Sequence, residues 1–178
     1  MPENRHAIFG SDTGDDQLLT WVPRLRRYAR ALVGNRDDAD DLVQDTLERA
    51  LNKSALWRGV ADMRAWLFSI MHNLHVDGIR RPRLHIVVLD EDTPEAPVAP
   101  TQAERLEVLD LQAALERLPV EQREIILLVA LEDMSYADVA ATLGIPIGSV
   151  MSRLSRGRER LRSLMNGPPD PVRLKVVK

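Results

Sequence analysis

The segment from Ser135 to Arg156 constrains the fold of this chain more than any other. Ser135 followed three residues later by Asp138 is a helix-start signature: the hydroxyl can accept from the third amide while the acid reaches back to the first. Val139, Ala140 and Leu143 then lie on one helix face. Gly144 permits the left-handed backbone that ends a helix, and Pro146 pre-sets the opening of the next. Ala140 and Ala141 are small enough to let the two helices cross closely. Two helices joined by so short a turn make a helix-turn-helix. On its second helix Val150 and Leu154 point inward, leaving Ser149, Ser152, Arg153, Ser155 and Arg156 to project outward, where serine and arginine suit base edges and phosphates.

Charge is partitioned along the chain. The formal net charge is only −3, which by itself argues against a nucleic-acid partner. Yet between Ile145 and Met165 five arginines face a single acid, Glu159, a local net of +4. Between Asn35 and Glu48 six acids face Arg36 alone, a net of −5, and His85–Glu104 carries five acids and no Lys or Arg. One part can approach phosphate while others repel it, which implies two partners of opposite charge. A solvated helix in an ordinary bundle, the bland alternative for the arginines, mixes signs at i, i+4 more evenly than this one does.

Helical periodicity dominates the rest; Ile86–Leu89 is the lone strand candidate and too short to seed a sheet. A first helix is expected from about Asp16 to Val33, ended by Gly34-Asn35, and a second from caps at Asp37 and Asp38 through Leu51. A third, capped by Asp62, must stop near Arg81 because Pro82 follows. Between Leu84 and Glu104 three prolines, acidic charge and no aromatic residue read as an extended linker, with an ordered surface loop as the alternative. Helices then resume at Leu106–Leu118, after Pro119, at Ser135–Leu143 and at about Pro146–Met165. The expected fold is all-α: two small helical domains (1–84 and 105–166) joined by a flexible acidic Pro-rich linker (85–104), the second containing the helix-turn-helix, with a flexible tail (167–178).

Several functions have no foothold. The chain has no cysteine, which removes disulfides, thiolate metal sites and cysteine nucleophiles. His72, His75 and Asp77 share a helix, but no fourth ligand has sensible spacing, so they are read as solvated or DNA-facing. No phosphate loop, nucleophile elbow or apolar carboxylate pair occurs, so neither enzyme activity nor a cofactor or metal is expected. Without a signal-like or membrane-spanning run, a cytoplasmic protein is expected. Trp66 is read as core, Trp57 as packing beneath its turn or stacking on a base, and Trp21 and Tyr28 as stiffening the first helix.

The order of motifs resembles the extracytoplasmic-function (ECF) group of bacterial RNA polymerase sigma factors. Residues 115–124, 136–140 and 148–154 are similar to the family's region 4; residues 38–50 resemble region 2; and residues 63–70, Asn73, Leu74, Asp77, Arg80 and Arg81 resemble the part that reads the −10 element. The resemblance spans roughly residues 16–165. It implies a factor that binds core RNA polymerase and promoter DNA and directs promoter-specific initiation under an anti-sigma factor, without membrane insertion. By position, Asp40, Asp41, Gln44, Asp45 and Glu48 would meet the polymerase clamp. Trp57, Arg58, Asn73, Asp77, Arg80 and Arg81 would serve the −10 element, and Ser149, Ser152, Arg153, Ser155 and Arg156 the −35 element. Two positions depart from the pattern: Met151 stands where many members carry a basic residue, and His72 replaces a common arginine. A conventional helix-turn-helix regulator acting without polymerase is the alternative. It would need a ligand-binding or phosphoacceptor domain, and residues 1–84 show no βαβ pattern to supply one. A mimic that only sequesters an antagonist would lack the basic recognition helix.

Overall fold

A computed structural model describes residues 18–53, 62–80 and 102–166. Within them the chain forms seven helices: α1 (Val22–Val33), α2 (Arg36–Asn52), α3 (Met63–Arg80), α4 (Gln102–Glu116), α5 (Val120–Ala130), α6 (Tyr136–Leu143) and α7 (Ile147–Asn166). The strand candidate and the expected linker and tail lie outside the described residues, apart from the linker's last residues, which begin α4.

α1 runs from Val22, and Leu18 and Leu19 just before it are helical as well. Pro23 stands in the first turn of α1, where its missing amide breaks no helical hydrogen bond. Gly34 ends α1 with φ of 87°, and its amide donates to the Arg30 carbonyl. The next helix is capped by Asn35, one turn before the expected aspartates. Asn35 Oδ1 accepts from the Asp38 amide at 2.8 Å, and Asn35 Nδ2 donates to Asp38 Oδ2 at 2.7 Å. Asp37 and Asp38 fall instead in the first turn, beside the positive helix end. Asp62 caps α3 as its sequence implies, accepting from the Ala65 amide.

α1, α2 and α3 pack around Leu25, Leu32, Ala39, Leu67 and Met71. Tyr28 does more than stiffen its own helix. It is fully buried and meets Phe68 edge-on, ring centroids 4.9 Å apart, tying α1 to α3. Trp66 is half-buried at the margin of this core, and Trp21 lies under the Arg24 guanidinium at 5.1 Å.

The second group, α4 to α7, closes around Ile125, Leu128, Val139, Val150 and Leu154. Within it α5 and α7 cross closely at Gly157. A Cβ on Gly157 would stand 2.9 Å from Ile126 Cδ1 and 3.2 Å from Gln122 Cβ. Gly157→Val is therefore expected to destabilise the chain by about 1–3 kcal/mol, the usual cost of overpacking. An unchanged midpoint in denaturant unfolding would show that α5 and α7 have room to part.

The two groups are in contact with each other. α6 lies against α3 and α5 against α1, and one apolar core runs through both. Polar ties also cross this seam. Arg123 donates to the Leu32 carbonyl at 2.6 Å as well as to Glu116 and Leu118 of its own group. His72 Nδ1 and Glu124 Oε1 are 2.7 Å apart. The fully buried Glu132 carboxylate takes Arg24 at 2.9 Å and Arg27 at 3.4 Å, while its carbonyl accepts from Arg64. Asp133, at φ of 50°, sits in the turn that carries Glu132 into the seam. The two helical groups expected from periodicity thus share an interface among the described residues.

Candidate nucleic-acid interface and the surfaces around it

The helix-turn-helix is built as its residues imply. Ser135 Oγ accepts from the Asp138 amide at 3.1 Å, and Asp138 Oδ2 accepts from the Ser135 amide at 3.1 Å, a complete capping box. The Ser135 bonds hold the Asp138 carboxyl below its usual range, with a smaller contribution from Arg64. Gly144 takes φ of 64°, and the α7 amides of Ser149 and Val150 donate to the Pro146 carbonyl. Val150, Leu154 and Gly157 face inward, so 3.6-residue geometry turns the opposite side of α7 to solvent.

On that outer side Ser152, Ser155 and Arg156 are exposed and Ser149 is half-exposed. Arg153 belongs to the same helix but not to the same face. It is half-buried and paired with Glu121 of α5 at 3.3 Å, bracing α7 against its neighbour. Past Arg156 come the exposed Arg158, Arg160 and Arg162, making the distal half of α7 strongly basic.

The acidic surface lies on α2. Its buried side is Ala39, Leu42, Val43, Thr46 and Ala50, with the Thr46 hydroxyl donating to the Leu42 carbonyl. Asp41, Gln44, Asp45 and Glu48 are exposed at i, i+3, i+4 and i+7, one continuous face. The exposed Leu51 extends it with an apolar end. Asp40 is set apart: it is half-buried and near Arg26 at 3.6 Å and Arg36 at 4.0 Å within its own group.

On α3, Asn73 and Asp77 are exposed, with Asn73 Nδ2 donating to the Ser69 carbonyl. Arg80 is the last residue of the helix; Trp57, Arg58 and Arg81 lie outside the described residues. His72 faces Glu124 across the seam rather than solvent. His75 is pushed below its ordinary pKa by burial, an effect that Glu124 opposes and that Arg123 and His72 reinforce. Tyr28 is pushed well above its ordinary range by burial, with Glu124 and Glu132 adding to it. Among the described residues no cluster of three or more His, Asp or Glu side chains could hold a metal. No described helix is long and apolar enough to cross a membrane.

Sequence reasoning missed the seam residues Arg24, Arg27, Arg64, Arg123, Glu124 and Glu132. Arg123 and Glu124 end the polar stretch 121–124 that precedes the apolar run of α5, so nothing local marks them as buried.

Both halves of the chain match known proteins. Residues 18–72 match the family described as the Sigma2 domain of PhyR, and residues 109–161 match Sigma-70, region 4. The ECF RNA polymerase sigma factor EcfG of Rhodopseudomonas palustris (strain TIE-1) is 38% identical over 92% of this chain and 94% of its own length. Among solved structures, the sigma factor RpoE in complex with the anti-sigma factor NepR from Bartonella quintana is 35% identical. It has a TM-score of 0.72 and covers 89% of this chain and 99% of that one. CnrH in complex with the cytosolic domain of CnrY is 31% identical, with a TM-score of 0.62 over 85% of this chain and 87% of that one. A helix-turn-helix regulator without polymerase docking is not favoured, because the first half of the chain matches as well as the second. With an acidic helix face and a basic helix-turn-helix among its described, all-helical residues, and relatives matched over nearly its whole length, this protein belongs to the ECF RNA polymerase sigma factors.

Proposed function

We propose that the chain binds core RNA polymerase and directs it to a defined set of promoters, under the control of an anti-sigma protein. The observation that carries this reading is the pairing, on one chain, of two exposed faces of opposite charge. The acidic face of α2 (Asp41, Gln44, Asp45 and Glu48, with Asp40 at its edge) suits a basic protein surface. The outer face of α7 (Ser149, Ser152, Ser155 and Arg156) suits the major groove of the −35 element. Asn73, Asp77, Arg80 and Arg81, with Trp57 and Arg58, serve the −10 element, where aromatic and basic groups favour unstacked bases and backbone. Residues 1–84 then form the polymerase and −10 unit, 105–166 the −35 unit, and 85–104 the connection between them. The bond-forming chemistry belongs to the polymerase, so this reading gives the chain no catalytic residue, cofactor or metal, and places it in the cytoplasm. An anti-sigma partner is supported by the solved relative RpoE, seen with the anti-sigma factor NepR.

The deciding experiment is co-purification with core polymerase followed by run-off transcription from candidate promoters. Retention on the column and new defined transcripts are expected; a protein that binds DNA tightly by itself and ignores polymerase would overturn the reading. Within this frame Arg156→Ala is expected to weaken promoter recognition by about 1–3 kcal/mol if the guanidinium meets a base edge. Filter binding of the holoenzyme across promoter variants reads this directly. A loss spread evenly over all sequences would assign Arg156 to phosphate instead, and no loss at all would remove this face from the interface.

A further inference from the structure

In a helix-turn-helix the N-terminal residues of the second helix reach the base edges, and later residues pass to the backbone. On α7 those first turns expose Ile147, Gly148, Met151 and Ser152 and offer no free cation. Arg153, the first arginine, is held by Glu121 of α5. The exposed arginines begin only at Arg156, about 13 Å along the axis from Ile147 at 1.5 Å per residue.

The base-reading end of this helix is thus apolar and hydroxylic. Met151 is the side chain that most needs an explanation: it is 53% exposed in a helix that has a well-formed core to hide in. Together with Tyr136 of α6, itself 37% exposed, it lines a recess of about 460 Å³. Leu154, Ser155, Arg158, Glu159 and Arg162 complete that recess; two arginines against one acid leave its rim with net positive charge. An exposed apolar notch with a cationic rim suits an anionic polymer that presents a small apolar group. Only one group in the major groove fits: the C5-methyl of thymine.

We propose that Met151, backed by Tyr136, reads the methyl group of a thymine in the −35 element and so sets a promoter preference. The proposal rests on the assignment of α7 to the −35 element and goes one step beyond it, from which helix binds to which base feature is read. Ser152 and Ser155 flank Met151 and can bond to either partner of a base pair, so they add contact with little discrimination. The arginines beyond them neutralise phosphate and place the helix.

The test uses the full chain with core polymerase and a promoter library randomised across the −35 element. Run-off selection is expected to enrich a thymine at one fixed position. Replacing that thymine by deoxyuridine deletes only the methyl, and is expected to lower initiation about three- to fivefold, the factor for one buried methyl. In Met151→Ala the thymine-to-deoxyuridine ratio is expected to fall to about one, and in Met151→Leu it persists. Equal use of thymine and deoxyuridine by the unaltered protein would overturn the proposal. So would discrimination that survives Met151→Ala, since another residue would then read the methyl. In both cases an enriched −35 sequence leaves the broader reading of α7 standing. A library that shows no −35 preference at all would remove both.

Discussion

Exchanging both Asp41 and Asp45 for lysine is expected to abolish co-purification with core RNA polymerase while leaving helical content intact. The two carboxylates are exposed, four residues apart, on the side of α2 that faces away from its buried residues. Nothing in the core depends on them. Two lysines at i, i+4 repel by a few tenths of a kcal/mol, and both positions lie beyond the first turn, where the helix dipole acts most strongly. Across an interface the same change is far larger. Each site passes from attraction to repulsion, and like charges juxtaposed at a protein contact cost several kcal/mol. Asp40→Lys is expected to act differently, because Asp40 lies near Arg26 and Arg36 and its loss disturbs α1 against α2. Circular dichroism separates a lost surface from a lost fold. Normal polymerase binding by the double variant would mean that the clamp contacts another face.

Removing the Glu132 carboxylate is expected to loosen the second helical group from the first. Glu132 is fully buried, yet its partners are not: the Arg24 and Arg27 side chains are 39% and 56% exposed. In Glu132→Ala these arginines can turn to water, so the variant loses the tie without stranding a buried charge. The full penalty for breaking a buried pair, about 3–5 kcal/mol, is therefore an upper bound. A hydrogen bond to a charged group contributes about 1.5–3 kcal/mol, which would move the closed-to-open ratio by roughly ten- to a hundredfold. Because the chain has no cysteine, a dye pair can be introduced cleanly at Arg49 on α2 and Ser163 on α7. A longer, broader distance distribution is expected for Glu132→Ala, with Glu132→Gln between it and the unaltered protein. If Glu132→Ala combined with Arg64→Ala still gives the compact distribution, the seam is held by apolar packing and the polar ties are secondary.

The helical class, the helix-turn-helix and the two charged surfaces are legible in the sequence because each depends on near neighbours. Ser135 and Asp138 find each other three residues apart, Gly144 relieves its own backbone, and Asp41, Gln44, Asp45 and Glu48 share a face by helix geometry alone. The acidic and arginine-rich stretches are likewise local counts. The cap of α2 has a local cause too: Asn35 outcompetes the aspartates because its side chain reaches the Asp38 amide.

What only the tertiary structure decided is which charges are spent within the chain. In sequence Arg153 and Arg156 look equivalent, and so do Asp40 and Asp41. Packing separates each pair, turning Arg153 to Glu121 and placing Asp40 near Arg26 and Arg36, while Arg156 and Asp41 stay exposed. The same holds for the seam. The contacts of Arg24 and Arg27 with Glu132, of Arg64 with its carbonyl, of His72 with Glu124 and of Arg123 with Leu32 join residues 52 to 108 positions apart. Periodicity reports which face of a helix is apolar; it carries no information about which other helix that face meets. That choice rests on complementary shape and on the pairing of buried charges, and both exist only once the chain has closed on itself.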